Sequence, residues 1–532
     1  MHEIDMEKEY IVGIDIGSSK VTMAVGCRNS DGEVSVIGVE SQDVGESVSN
    51  GDIKNYVLLG KIIGEMKSAL EQDLGLSINS AYVGMSGRSV YCVHYEDSVE
   101  ISNPTGCVRQ NEMRELQNRI DMVTSSSGDD IVERIPLRYR IDDMQEVKNP
   151  IGSYGRKLSA TYLFVMISSP QVNMVRHTLF KADLKIMGLT VNPTVLPLLL
   201  LNKREAEDGV MIVDIGSDLT DISIVREDKL WYFSSLPIGA SSINEDLYQF
   251  LHISKRDIDR LKRRYGSALA ESVPDNTSFP VQISGRAKRQ ILHRNIAEII
   301  EERLKDIIYF VDRELKGAKF INKVPCGVVL TGGSAYLQNI EELFARELKM
   351  DARLGNIFNG IDSASQEQVM YPGSVAVGLL LYGAKHAACE VTCTSGSKSV
   401  PQPPQKPEEP KVEVVTTQTT GGANQPIQPV PNDDNPEDGP IDDNPEDGQN
   451  DDNPKGGPID DNPKDGPIDD NPKDGPIDDN PKGGQNGGKK KSTENGGPEE
   501  EGQPKVKTSW IGILIERVKK IVDDIFEKDD VI

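Results

Sequence analysis

The phrase Ile11-Val-Gly-Ile-Asp-Ile-Gly-Ser-Ser-Lys20 returns about 200 residues later as Met211-Ile-Val-Asp-Ile-Gly-Ser-Asp-Leu-Thr220. Each copy is an apolar run long enough for one buried strand, and each breaks at Asp-x-Gly. Glycine lets the backbone turn tightly and approach a ligand, and small hydroxyl residues after it leave amide donors free for phosphate oxygens. A third glycine turn, Leu330-Thr-Gly-Gly-Ser334, follows in the second half. One such turn is common in α/β proteins and carries little weight. Three in this order imply a duplicated domain that clamps a phosphate-bearing ligand between its halves. Asp15 and Asp214 would then face each other and hold a hydrated Mg²⁺, a hard cation that keeps most of its waters. The chain has no G-x-x-x-x-G-K-[ST] run and no G-x-G-x-x-G opening a helix, which argues against a P-loop or a dinucleotide fold.

The chain has 532 residues and a net charge of −26. It is long enough for two or more domains. Its acidity, concentrated in the C-terminal third, argues against nucleic acid as a partner. The six cysteines are scattered, with only Cys389 and Cys393 near each other, and read as reduced thiols rather than as a disulfide or zinc set. The start, Met1-His-Glu-Ile-Asp-Met-Glu, lacks the basic flank and apolar core of a signal peptide. No segment has the roughly 18 apolar residues of a membrane span. The expected location is cytoplasmic, with any membrane contact made from that side.

From residue 10 to about 386, apolar strands alternate with amphipathic helices, as in a mixed α/β fold. Strands are expected at 10–16, 21–27 and 34–39, followed by a helix at 56–73. From 84 to 163, short strands around one helix, Gln110 to Met122, read as an inserted subdomain. A helix at 170–182 and a strand before Asn192-Pro193 resume the main chain. The plan repeats with strands at 210–215, 220–226 and 229–236, a basic helix at 254–266 and a long helix at 287–315. A strand at 327–330 and a closing helix at 374–385 complete it. The apolar stripe of the long helix, Ile291 through Ile308, reads as core rather than ligand contact.

Beyond residue 389 the composition turns to Pro, Gly, Asp, Asn and Lys. Six nine-residue variants of Asp-Asp-Asn-Pro-Lys-Asp-Gly-Pro-Ile run from Asp433 to Asn486. With so little apolar surface to offset ordering entropy, the tract reads as an extended acidic tether. Calcium-binding repeats would need a Gly-Gly-x-Gly-x-Asp spacing that is missing. After the tether, Ile511, Leu514, Ile515, Val518, Ile521, Val522 and Ile525 fall along one face of a helix that Ser509 can cap, with Trp510 and Phe526 flanking the stripe. Lys505, Lys507, Arg517, Lys519 and Lys520 lie near its polar face. Such a helix must bury its stripe in a bilayer surface or a partner's groove. Trp510 and the lysines favour the bilayer, against the opposing charge of Asp523, Asp524 and Glu527.

The order of these parts resembles the actin-like ATPase superfamily and, within it, the bacterial FtsA family. Ser49-Asn-Gly-Asp-Ile53, Tyr82-Val-Gly-Met-Ser-Gly87, Asn149-Pro-Ile-Gly-Ser-Tyr-Gly-Arg-Lys-Leu158 and Leu236-Pro-Ile-Gly239 are similar to segments typical of that family. The resemblance covers roughly 10–386 and the terminal helix, which is similar to the family's membrane-targeting sequence. It implies duplicated actin-like, ribonuclease-H-like domains: subdomain 1A at 1–83 and 164–200 with its closing helix at 357–388, and the inserted 1C at 84–163. Subdomain 2A would fall at 201–245 and 301–356 with 2B at 246–300, followed by the tether at 389–504 and the membrane helix at 505–528.

In function, the resemblance implies an ATP-binding, filament-forming adaptor at the inner face of the cytoplasmic membrane. It would hold FtsZ at the division septum and recruit later division proteins. Asp15, Gly17, Ser18, Ser19 and Lys20 would serve the first phosphate loop, and Asp214, Gly216, Ser217, Asp218 and Thr220 the second. Gly332, Gly333 and Ser334 would contact the adenosine side, with Asp259 and Lys262 near the ribose and base. Subdomain 2B would grip the acidic C-terminal tail of FtsZ, a task suited to Lys255, Arg256, Arg260, Lys262, Arg263 and Arg264, although a solvated helix face would look the same.

Two departures from the family pattern bear on catalysis. Asp218 brings a carboxylate toward phosphate, which costs affinity unless a cation neutralises it. Asn192 stands where active relatives place an acidic residue or Gln that orients the attacking water. Because positioning and charge stabilisation supply most phosphoryl-transfer catalysis, ATP binding with slow or absent hydrolysis is expected. The competing reading is a sugar or acetate kinase of the same fold. That would need a catalytic base beside an acceptor pocket, and no acidic candidate stands out beyond the two metal-facing aspartates. Pilus or shape-determining relatives lack this combination of insertion and tail.

Overall fold

The computed structural model describes residues 9–393, except 30, 126, 283–287, 321, 359, 363–364, 367–373, 387 and 390. The expected tether beyond 393 and the terminal amphipathic helix lie outside the described residues.

The repeated phrase builds the same sheet twice. In the first half, Tyr10–Ile16, Lys20–Arg28 and Val34–Asp43 form an antiparallel meander, and Ser80–Met85 and Lys185–Val191 add in parallel beside Tyr10–Ile16. In the second half, Val210–Ile215, Thr220–Arg226 and Lys229–Leu236 form the meander, with Val328–Thr331 and Ala352–Leu354 in parallel. The registers match residue for residue: Asp15 lies opposite Thr22 and beside Gly84, and Asp214 lies opposite Asp221 and beside Thr331. The central strands are buried on both faces, hence their unbroken runs of Ile and Val.

Helices cover both sheets. The helix Tyr56–Leu74 starts where the Asn55 side chain accepts hydrogen bonds from the backbone N–H groups of Val57 and Leu58, and it buries Leu59, Ile63, Met66 and Leu70. The closing helix Ser374–Ala384 is apolar nearly all round and buried on most sides, as expected of an element inside the core. The long helix starts at His293, later than expected, because Lys288–Leu292 pairs as a hairpin strand with Ser278–Gln282. Cross-strand pairing there overrides an apolar spacing compatible with helix.

Between Met85 and Ser168 the chain leaves the first sheet and forms its own, ordered Gln145–Val147, Asp130–Ile141, Lys157–Ile167, Val90–Glu100. One face packs the helix Gln110–Asp121 through Leu116, Ile120, Tyr162 and Phe164. The other face, with Leu137, Leu163, Val165 and Ile167, merges into the main core alongside Leu230 and Phe233 of the second half. The insertion is therefore mounted on both halves of the body. No helix among the described residues is long and apolar enough to cross a membrane.

Candidate functional site

Both strand-turn phrases end in hairpins closed by the same bond. The Gly17 N–H donates to the Lys20 carbonyl at 3.0 Å, and the Gly216 N–H donates to the Leu219 carbonyl at 2.9 Å. The two turns face each other across a cleft of about 690 Å³. Asp15, Gly17, Ser18, Ser19 and Lys20 line one wall, and Asp214, Gly216 and Ser217 the other. Gly332, Gly333, Ser334, Asp259, Lys262 and Asn192 also line it. Gly332 has φ +86°, and a Cβ there would lie 2.3 Å from Asp214 Oδ1, so only glycine lets this turn close over the aspartate.

Two expected phosphate-loop residues point elsewhere. The Thr220 hydroxyl is buried and donates to the Ile238 carbonyl at 2.7 Å, because its strand position turns it into the core. The Asp218 carboxylate accepts from the Asn50 backbone N–H at 3.2 Å and from the Ser241 hydroxyl at 3.1 Å. Neither lines the cleft. The Asp218 carboxylate is committed to a loop of the opposite half.

The cleft floor holds a carboxylate that the motif reading missed. Asp221 accepts a 2.5 Å hydrogen bond from the Ser86 hydroxyl of the first half and another from the Ser235 hydroxyl of the neighbouring strand. The signal was available: Asp221 is the register counterpart of Thr22, whose hydroxyl pairs with that of Ser41 at 2.9 Å. Burial pushes Asp214 up to about 8, with the charges of Asp221 and Asp15 adding to it. Burial likewise pushes Asp15 up to about 7; the Asn192 amide, 3.3 Å away, opposes the shift and Asp221 adds to it. Asp221 is raised too, by burial set against its two hydroxyl partners. Lys262, on the Lys255–Tyr265 helix, is buried at the cleft wall and pushed down to about 8 by burial, with Asp259 opposing.

This arrangement fits an anionic ligand bound with a cation. Asn192 Oδ1, Asn244 Oδ1 and Ser334 Oγ are buried at the cleft without hydrogen-bond partners, a condition that a polar ligand relieves. Three carboxylates with raised pKa values would be ionised by an arriving cation. Asp15 and Asp214, facing each other across the cleft, would hold Mg²⁺ through water and phosphate. Of the basic cluster, Lys262 turns into the cleft and Arg263 pairs with Asp259 at 2.8 Å, while Lys255, Arg256, Arg260 and Arg264 stay exposed.

The sequence profile described as "Cell division protein FtsA" matches residues 211–373, and that described as "SHS2 domain inserted in FTSA" matches 87–166. The cell division protein FtsA of Pseudomonas aeruginosa is 25% identical over 378 residues, covering 70% of this chain and 89% of its own. That of Escherichia coli K12 is 26% identical over 389 residues, covering 71% of this chain and 91% of its own. Among solved structures, one described as the PilM-PilN type IV pilus biogenesis complex is similar in fold, with a TM-score of 0.50 at 17% identity over 70% of this chain and 98% of that one. The profile matched at 87–166 falls on the inserted sheet.

Proposed function

The chain belongs to the FtsA family of the actin-like ATPase superfamily, and from that premise we propose that it is an ATP-binding cell-division adaptor. It binds Mg-ATP between its halves, assembles into filaments, and holds FtsZ at the cytoplasmic face of the cell membrane at the division septum, where later division proteins gather. The observation that carries the nucleotide reading is the facing pair of hairpin turns, with Asp15 and Asp214 between them and unpartnered polar atoms around them. In that cleft the turn amides and Lys20 would receive phosphate oxygens, while Lys262, Ser334 and the Gly332-Gly333 turn would hold the nucleoside end. Mg²⁺, held through water by Asp15 and Asp214, would neutralise the phosphates.

The chemistry favours retention over turnover. Asn192 is neutral, and its amide is turned to Asp15, so it takes no proton from an attacking water. Asp221, a further carboxylate lining the cleft, is already engaged by two hydroxyls. The exposed cations Lys255, Arg256, Arg260 and Arg264 suit the acidic FtsZ tail. The stripe from Trp510 to Phe526 suits a bilayer surface, and the tract before it supplies reach.

Two measurements on the full chain test this reading. Calorimetry should detect ATP binding that depends on Mg²⁺, with turnover far below the roughly 1–100 per second of kinases; turnover within that range would restore the competing phosphotransferase. Co-sedimentation with anionic vesicles should be lost when residues from Ser509 onward are deleted. Persistence of binding would refute the membrane assignment.

A further inference from the structure

Asp221 touches the two places where the inserted subdomain is mounted. Its Oδ2 accepts from Ser86, which stands between the main-sheet strand Ser80–Met85 and the first insertion strand Val90–Glu100. Its Oδ1 accepts from Ser235 on Lys229–Leu236. That strand is the platform on which the insertion rests: Cys92 Sγ lies 3.3 Å from the Phe233 carbonyl, and Lys229 Nζ donates to the Leu137 carbonyl at 3.0 Å. The third face of this carboxylate lines the cleft. One buried group thus joins the cleft floor, the root of the insertion and its platform. At the equivalent position in the first half, the Thr22 hydroxyl pairs with that of Ser41.

We propose that Ser86, Asp221 and Ser235 form a relay through which occupancy of the cleft sets the seating of the inserted subdomain. The inference rests on the nucleotide reading above. A cation and phosphates arriving over the floor change the field at Asp221, and a carboxylate drawn toward the cation loosens its grip on Ser86, Ser235 or both. Each serine then moves with a rigid strand or turn, so a small displacement at the floor reaches the inserted sheet. Asp221 and Ser86, which both line the cleft, can contact the ligand or its cation shell; Ser235 acts through Asp221 and is a positioning residue.

Hydrogen exchange on the full chain, with and without saturating Mg-ATP, tests the relay, with saturation of each variant verified by calorimetry. In the wild type, Mg-ATP should change exchange about threefold or more in peptides covering Val90–Glu100 and Asp130–Ile141. Ser235→Ala, which lies outside the cleft lining, should retain ATP binding and lose most of that response, and Ser235→Thr, which keeps a hydroxyl, should restore it. Ser86→Ala should lose it as well. A full response in Ser235→Ala, or none in ATP-saturated wild type, overturns the relay. Absence of ATP binding to the wild type would instead overturn the nucleotide reading and the relay with it, so the two failures are distinguishable.

Discussion

Asp218 of the second half accepts a hydrogen bond from the Asn50 backbone N–H of the first, at 3.2 Å across the mouth of the cleft. Beside it the Gly51 N–H donates to the Ser18 hydroxyl at 2.9 Å. The hairpin bearing Asn50 and Gly51 thus touches both phosphate turns. Asn50 and Gly51 have φ +50° and +75°, and a Cβ on Gly51 would meet the Ser86 carbonyl at 2.1 Å. The carboxylate links the two halves. Asp218→Gly should therefore leave ATP affinity within about threefold while speeding nucleotide release about tenfold, since a charge-assisted bond contributes roughly 1.5–3 kcal/mol. Stopped-flow release of a fluorescent ATP analogue checks this; slower release would assign Asp218 a different task.

The raised carboxylates set a pH dependence. Asp15 and Asp214 keep protons up to about 7 and about 8 in the folded chain, against 3.8 ordinarily. The ligand-free folded state thus binds more protons than the unfolded chain from about pH 4 to 8, and its stability falls as pH rises through that window. Asp214→Asn removes the larger part of this slope and should raise the ligand-free melting temperature at pH 8 by about 5 °C, while abolishing the Mg²⁺ requirement together with most ATP binding. Thermal scans from pH 5 to 8.5, without nucleotide, measure it. A stability that climbs with pH would contradict the buried, protonated state of the pair.

Lys262 presents the complementary case, a cation held in a wall of the cleft and depressed to about 8 by burial. Without ligand its charge is a liability; beside a nucleotide it becomes a partner. Lys262→Met should raise the stability of the free protein most below about pH 8, the gain fading as pH rises toward 10.5, and weaken ATP binding about tenfold or more. Calorimetry and melting on the same variant separate the two effects. Equal losses in both would mean that Lys262 is structural.

How much of this was legible beforehand follows from which interactions are local. The hairpins at Gly17 and Gly216 and the meanders flanking them read directly, because apolar runs broken by Asp-x-Gly state their own turn. The insertion is recognisable from its change of pattern, although the expected limits at 84 and 163 fall inside the strands Ser80–Met85 and Lys157–Ile167, since a continuous buried apolar strand shows no compositional edge within it. The direction of Asp218 does not read from the motif, because a turn residue's direction depends on the loop it meets, and Asn50 is 168 positions away. Asp221 escaped notice for a related reason: its partner Ser86 is 135 positions distant, and only strand register reveals its kinship with Thr22.

The second phosphate turn also depends on a salt bridge far from the cleft. Ala240 and Ser241 N–H groups donate to the Gly216 and Ser217 carbonyls at 3.0 and 2.8 Å, so the helix Ala240–Leu251 braces that turn from its first residues and carries Asn244 to the cleft. The helix is held by Asp246, which takes a two-pronged bond from Arg303 of the long helix at 2.6 and 2.9 Å, with Asp306 at 3.4 Å behind it. All three charges are largely buried. Removing the arginine strands two carboxylates in a poor solvent, at a cost of about 3–5 kcal/mol. Arg303→Ala should therefore lower the melting temperature clearly and weaken ATP binding as well, although Arg303 does not line the cleft. Arg303→Lys should recover only part of each, because an ammonium cannot reproduce the fork. Should ATP affinity survive in Arg303→Ala at a temperature where the variant remains folded, the brace between this helix and the second turn is not what shapes the site.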